Sequence, residues 1–164
     1  MASTQTWSEY NGAGQTETGA RSECNWKNID DSTTLYSSAP IAAGNNSYSK
    51  YQALKFAGTW NQLSSLTYKV SSAAPATGIT VAGAVVTAYI TPATTATGDG
   101  AASTSGAAVQ FGTSTNPFST AGGATVAGGG TIYANAFRTQ LQTTGSAGPG
   151  DIPGVTITAQ WTES

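Results

Sequence analysis

At 164 residues the chain has room for one domain and one core. Only 9% of the residues are charged, the net charge is −2 and histidine is absent, which excludes a basic field for nucleic acid and the usual imidazole chemistry. The bulk is Ala, Thr, Ser and Gly, too weakly charged for ordinary disorder and suited to a β-rich protein with a hydroxyl-covered surface, so any partner is met through apolar and hydrogen-bonding contacts.

In chain order, residues 1–23 are polar, with Trp7 and Tyr10 as the large apolar groups. Too little apolar surface is present to offset ordering, so this stretch is expected to be an extended arm, disordered in the free protein and ordered on assembly, where it lies against its own or a neighbouring chain through those two rings. It has neither a basic start nor an apolar run, so no cleaved leader is expected. The ordered domain is expected over residues 24–164. Cys24 is the single cysteine, which rules out an internal disulfide and fits maturation in a reducing cytoplasm. Trp26 and Ile29 are candidate anchors. Asp30 and Asp31 precede Ser32 and Thr33 in a spacing that matches no Ca²⁺ loop and reads as a turn capped by carboxylates.

Residues 48–70 hold the densest apolar pattern. Leu54, Phe56 and Trp60 fall on even positions and share one face of an extended strand, while Tyr51 and Ala53 take the other. Beyond Asn61-Gln62 the alternation resumes through Leu66, Tyr68 and Val70. Two strands joined by a short loop are predicted, with Leu54, Phe56, Trp60 and Tyr68 as core.

Residues 79–90 predict a further strand whose phase slips near Gly83, pointing to a bulge. Residues 94–108 and 113–130 read as long loops rich in Gly, Ser, Thr and Ala, with a short strand at 108–112 between them. Residues 132–143 alternate with Tyr133, Phe137 and Leu141 on one face, and 155–161 form a closing strand. Short strands with turn punctuation and no helical period predict an all-β protein, an antiparallel β-sandwich of immunoglobulin-like or jelly-roll-like type.

No catalytic constellation emerges. Without histidine the Ser-His-Asp and Cys-His arrangements cannot be built, and the 8 acids lie mostly in arm, loop and tail segments, with Asp151 in a turn cluster. Arg138, inside a strand, is expected to pair with Asp30 or Asp31. No enzyme, cofactor or metal is expected. The longest apolar run, 81–90, is far too short to span a bilayer.

The segments NWKNIDD and PIAAGNNSYSKYQALKFAGTWNQLSSLTYK, with the ending QLQTTGSAGPGDIPGVTITAQW, resemble small structural proteins of tailed bacteriophages, those of aquatic hosts in particular. Residues carrying the resemblance include Asn28, Pro40, Asn46, Lys50, Gly58 and Gln140. The resemblance implies a virion component made in the host cytoplasm. A decoration or cement protein would bind the major capsid protein or other virion subunits on the outside of the head, as a homo-oligomer on the particle. The alternative is a head- or tail-fibre domain that recognises host surface glycans, with Tyr36, Tyr51 and Trp60 as candidate sugar contacts.

Overall fold

A computed structural model describes residues 2–120, 122–150 and 154–164. The chain is nearly all β, 46% strand and 2% helix. The strands are β1 (Ser3–Asn11), β2 (Thr16–Thr18), β3 (Lys50–Val70), β4 (Ile79–Val86), β5 (Ala107–Ala108), β6 (Thr125–Tyr133), β7 (Ala136–Thr143) and β8 (Ile157–Glu163), with a single 3-10 turn at Tyr36–Ser38 among the described residues. Every pairing between them is antiparallel, in one open sheet.

The 21-residue β3 is the spine. Along one edge it pairs with β1, from Tyr51 opposite Tyr10 to Gly58 opposite Ser3, and then with β8, from Leu63 opposite Glu163 to Val70 opposite Ile157. Along the other edge run β7, β6 and β5 in turn. The register slips between Thr59 and Gln62 and again between Ser64 and Thr67, and Ser65 adopts a left-handed φ of 55°. Such irregularities let a strand turn a corner from one layer to another. The second half of β3, with β8 and β5, therefore folds back over the first.

The core lies between these halves. Leu54, Phe56 and Trp60 come from the first, and Leu63, Leu66, Tyr68 and Val70 from the second, all at most 4% exposed. Val81 of β4 and Phe137 and Leu141 of β7 complete it. Each such side chain contributes about 1.5–3 kcal/mol by leaving water. On the outer face of the first layer Tyr10, Tyr51, Ala53 and Ala136 form a second cluster, roofed by Tyr89 and Phe118. Phe118 stands edge-on to Tyr10 at 5.2 Å and to Tyr51 at 5.7 Å.

Several expectations are corrected. Residues 3–11 are not a free arm but β1, paired residue by residue with β3 and turned into β2 at Gly12, whose φ of +68° favours glycine. Trp7 and Tyr10 do not share one docking surface. Alternation sends Trp7 to the inner face, where its ring lies 5.3 Å from Tyr68, and Tyr10 to the outer face, where it is 4% exposed. Two-sided burial and the ladder hydrogen bonds to β3 offset the entropy of ordering these residues.

The predicted break at Asn61-Gln62 is a bend within one strand, held by the C-terminus: Asn61 and Gln62 donate their N–H groups to the carbonyl of Ser164. The strand from residue 79 has no bulge, since its register with β7 is unbroken from Ile79 to Val86. Gly83 is there for space, because a Cβ would sit 3.1 Å from Ala102 Cβ and 3.3 Å from Phe137 Cζ.

Residues 132–143 are two strands with opposite phase. Tyr133 lies opposite Lys55 on the outer face, whereas Phe137 and Leu141 enter the core. The break is at Asn135, which is buried and donates to the carbonyls of Pro117 and Ser119. The 94–108 loop is not simply exposed either, for Ala102 is buried and bonded to Val81. Asp151 lies outside the described residues.

Candidate functional site

The second layer leaves part of the inner sheet face uncovered. A cleft of about 1080 Å³ lies there. Its floor is the sheet itself: Trp7 of β1, Gln52 of β3, Ile79 of β4 and Leu141 of β7. One wall is the stretch from Arg21 to Trp26 together with residues 36–43, and the opposite wall is 147–150 and 154–157.

The first wall is fixed by buried charge. Lys50 and Glu9 sit on the inner face of neighbouring strands, both at most 1% exposed, with Nζ 3.0 Å from Oε1. Lys50 also donates to the carbonyl of Asp31 at 2.9 Å. Lys27, fully buried, donates to Asp31 Oδ1 at 2.7 Å and to the carbonyl of Thr34. Asp31 in turn accepts the N–H groups of Thr33 and Thr34. Burial pushes the Asp31 carboxyl up, but Lys27 and the Thr34 and Thr33 donors outweigh it and hold the group well below the usual carboxylate range. Of the chain's six cations, Arg21 faces Glu9 of the sheet, Lys50 reaches from the sheet to the carbonyl of Asp31, and Lys27 holds the segment together from within.

The wall closes on itself where Asn28 donates its N–H to the carbonyl of Ala39 at 2.9 Å. Residues 28–39 are therefore a compact loop with adjoining ends. At its foot Trp26 packs on the core and donates Nε1 to Thr139 Oγ1 at 3.1 Å. At its tip Leu35 is 62% and Tyr36 50% exposed, and Ile29, expected as an anchor, is 40% exposed.

No protein-family model, curated protein or solved structure matches this chain.

Cys24 lines the cleft beside Thr139, and burial pushes its thiol up to about 12, so it is protonated and a poor nucleophile at neutral pH. Glu9 is neutralised by Lys50. Among the described residues no group of three His, Cys, Asp or Glu side chains could hold a metal ion. The cleft is lined by the aromatic side chains Trp7, Trp26 and Tyr36 and by the polar Arg21, Asn25 and Gln52.

The structure distributes the expected residues as follows. Leu54, Phe56, Trp60 and Tyr68 are all in the core. Of the candidate sugar contacts, Tyr51 and Trp60 are buried at 1% and 4% exposure and are unavailable, while Tyr36 stands at the cleft. Arg138 pairs with Asp99, not with Asp30 or Asp31, through two hydrogen bonds of 2.8 and 2.6 Å. Arg21, Asn25 and Gln52 at the cleft were not singled out from the sequence. One signal was there to read. Lys50 and Gln52 continue the even-numbered stripe of Leu54 and Phe56, so they place polar groups on the inner face.

Proposed function

We propose that this protein is a non-enzymatic structural component of a tailed-phage virion, a decoration protein that docks on the outside of the assembled head. The observation that carries the reading is the 28–39 loop. Three of the four large apolar side chains exposed among the described residues, Ile29, Leu35 and Tyr36, stand on it. Apolar groups clustered in water mark an interaction surface. Here they are also held in place, because buried Lys50 reaches from the sheet to the carbonyl of Asp31 and buried Lys27 binds Asp31 and the carbonyl of Thr34 within the loop. A pre-ordered surface loses little entropy on docking, and repeated docking on a lattice adds avidity. The resemblance to small phage structural proteins supports the same reading.

The partner in this account is the major capsid protein, with the particle as the place of residence. A fibre domain that reads host glycans is the alternative. Copy number per purified particle, measured by quantitative mass spectrometry, tests the proposal. A number matching the capsid lattice supports decoration. A few copies per particle, or none, contradicts it.

A further inference from the structure

We infer that β8 pairs edge to edge with β8 of a second copy of this chain, so that the two sheets join across a two-fold axis at Gln160.

The edge is open. β8 pairs with β3 along one side, and among the described residues no strand or isolated bridge lies along its other side. Its phase is fixed at both ends. Ser164 donates its N–H to the carbonyl of Gln62 at 3.0 Å and accepts from the N–H of Gln62 at 3.2 Å, and the carbonyl of Thr156 accepts from the N–H of Ser71 at 2.9 Å. The extra residue at the slip between Ser64 and Thr67 lies on β3, so β8 itself alternates without a break. Even-numbered residues therefore turn their backbone groups to β3, while Ile157, Ala159, Trp161 and Glu163 turn theirs to the open side.

Exposed sheet edges are normally guarded. Those at β2, β5, β4 and β6 are. β2 has three residues and β5 has two. The outer side of β4 is covered by Ala73, Gly100 and Ala102, which are bonded to Val81 and Gly83. β6 is made irregular by Gly128 and Gly130, at φ of 91° and 109°. β8 has none of these devices. It runs seven residues without proline, glycine or lysine, and its one charged side chain, Glu163, is held by the N–H and hydroxyl of Ser3. Its core-facing side is also left unfinished. Leu63, Leu66 and Tyr68 of the neighbouring β3 are at most 2% exposed, whereas Ile157, Ala159 and Trp161 are only partly buried. A strand added beside β8 covers them.

The order of side chains identifies that strand as a second β8. Antiparallel pairing about Gln160 sets Ile157 opposite Glu163 and Ala159 opposite Trp161, so the outward backbone groups of both strands meet. It also sets Thr158 opposite Thr162 and Gln160 opposite itself. A small side chain then lies beside the large indole, hydroxyl faces hydroxyl and amide faces amide. The two Glu163 residues stand at opposite ends of the ladder, about 20 Å apart, so no like charges meet.

The test is light scattering and analytical ultracentrifugation of the purified protein over a range of concentrations. No particle is present, so the outcome is independent of the virion reading. The expected result is a monomer–dimer equilibrium. Gln160 is exposed, so Gln160→Lys and Gln160→Glu should keep the parent's melting temperature. Each alone puts like charges face to face on the axis and should weaken dimerisation about fivefold or more. Mixing the two variants should restore it. A monomer at every concentration overturns the pairing and leaves the edge to a strand of another protein. A dimer that neither charge variant weakens, or that the mixture does not restore, overturns it equally.

Discussion

The backbone N–H of Leu54 donates a 3.2 Å hydrogen bond to the hydroxyl of Tyr68. Both residues belong to one strand, and 14 residues of straight strand would hold them about 46 Å apart. The contact is therefore the signature of the fold: β3 turns back and closes the core on itself. It also has a local cause. Opposite Leu54 the edge passes from β7 to β6 at Ala134-Asn135, where the ladder is interrupted, and the hydroxyl takes the place of a missing strand partner. Tyr68→Phe should leave that buried N–H without an acceptor and cost about 1–3 kcal/mol, measured by chemical denaturation. A cost near zero would mean that the hydroxyl does not hold the layers together.

The Glu9–Lys50 pair gives the second prediction. Lys50→Met alone strands a buried carboxylate and should destabilise by about 3–5 kcal/mol. The double change Glu9→Gln with Lys50→Met should cost clearly less than the sum of the two single changes, because it removes both charges together. Additive costs in a double-mutant cycle would show that the two side chains are not coupled.

Glycine at position 129 is a third test. A Cβ there would lie 2.7 Å from the carbonyl oxygen of Gly58, a backbone atom in a paired strand that cannot swing aside. Gly129→Ala should cost about 1–3 kcal/mol by overpacking. At Gly100, where a Cβ would meet nothing within 4 Å, the same change should have little effect on thermal stability.

Legibility in the sequence followed local periodicity. Alternation through Leu54, Phe56 and Trp60, and again through Leu66, Tyr68 and Val70, exposed the inner face of β3, and Leu54, Phe56, Trp60 and Tyr68, named from it, lie in the core. What escaped was set by distant partners. Residues 3–11 look like a polar tail until β3 supplies a partner strand and Tyr68 and Phe118 cover the two rings. The bend at Asn61-Gln62 and the reversal of phase at Asn135 depend on hydrogen bonds to residues far along the chain, which no periodicity encodes. The cleft was equally hidden, since its walls come from stretches more than a hundred residues apart.

The Asp31 carboxyl yields a pH prediction. Its folded value is held below the unfolded one, near 3.9, so its contribution to stability is complete above about pH 4 and is lost as the pH falls further toward the folded value. The melting temperature should therefore drop on acidification below about pH 4. Asp31→Asn should be less stable at neutral pH and flatter in that acid range. A parent-like slope in the variant would assign the acid sensitivity to another group.

The account's central claim is that the rigid 28–39 loop attaches the protein to the particle. The direct measurement is co-sedimentation of purified protein with particles stripped of it, comparing the parent with an Ile29→Asp, Leu35→Asp variant. Both side chains are exposed, so the melting temperature should stay close to the parent value. The account predicts that the variant folds normally and fails to occupy the particles. Full occupancy by the folded variant would contradict it.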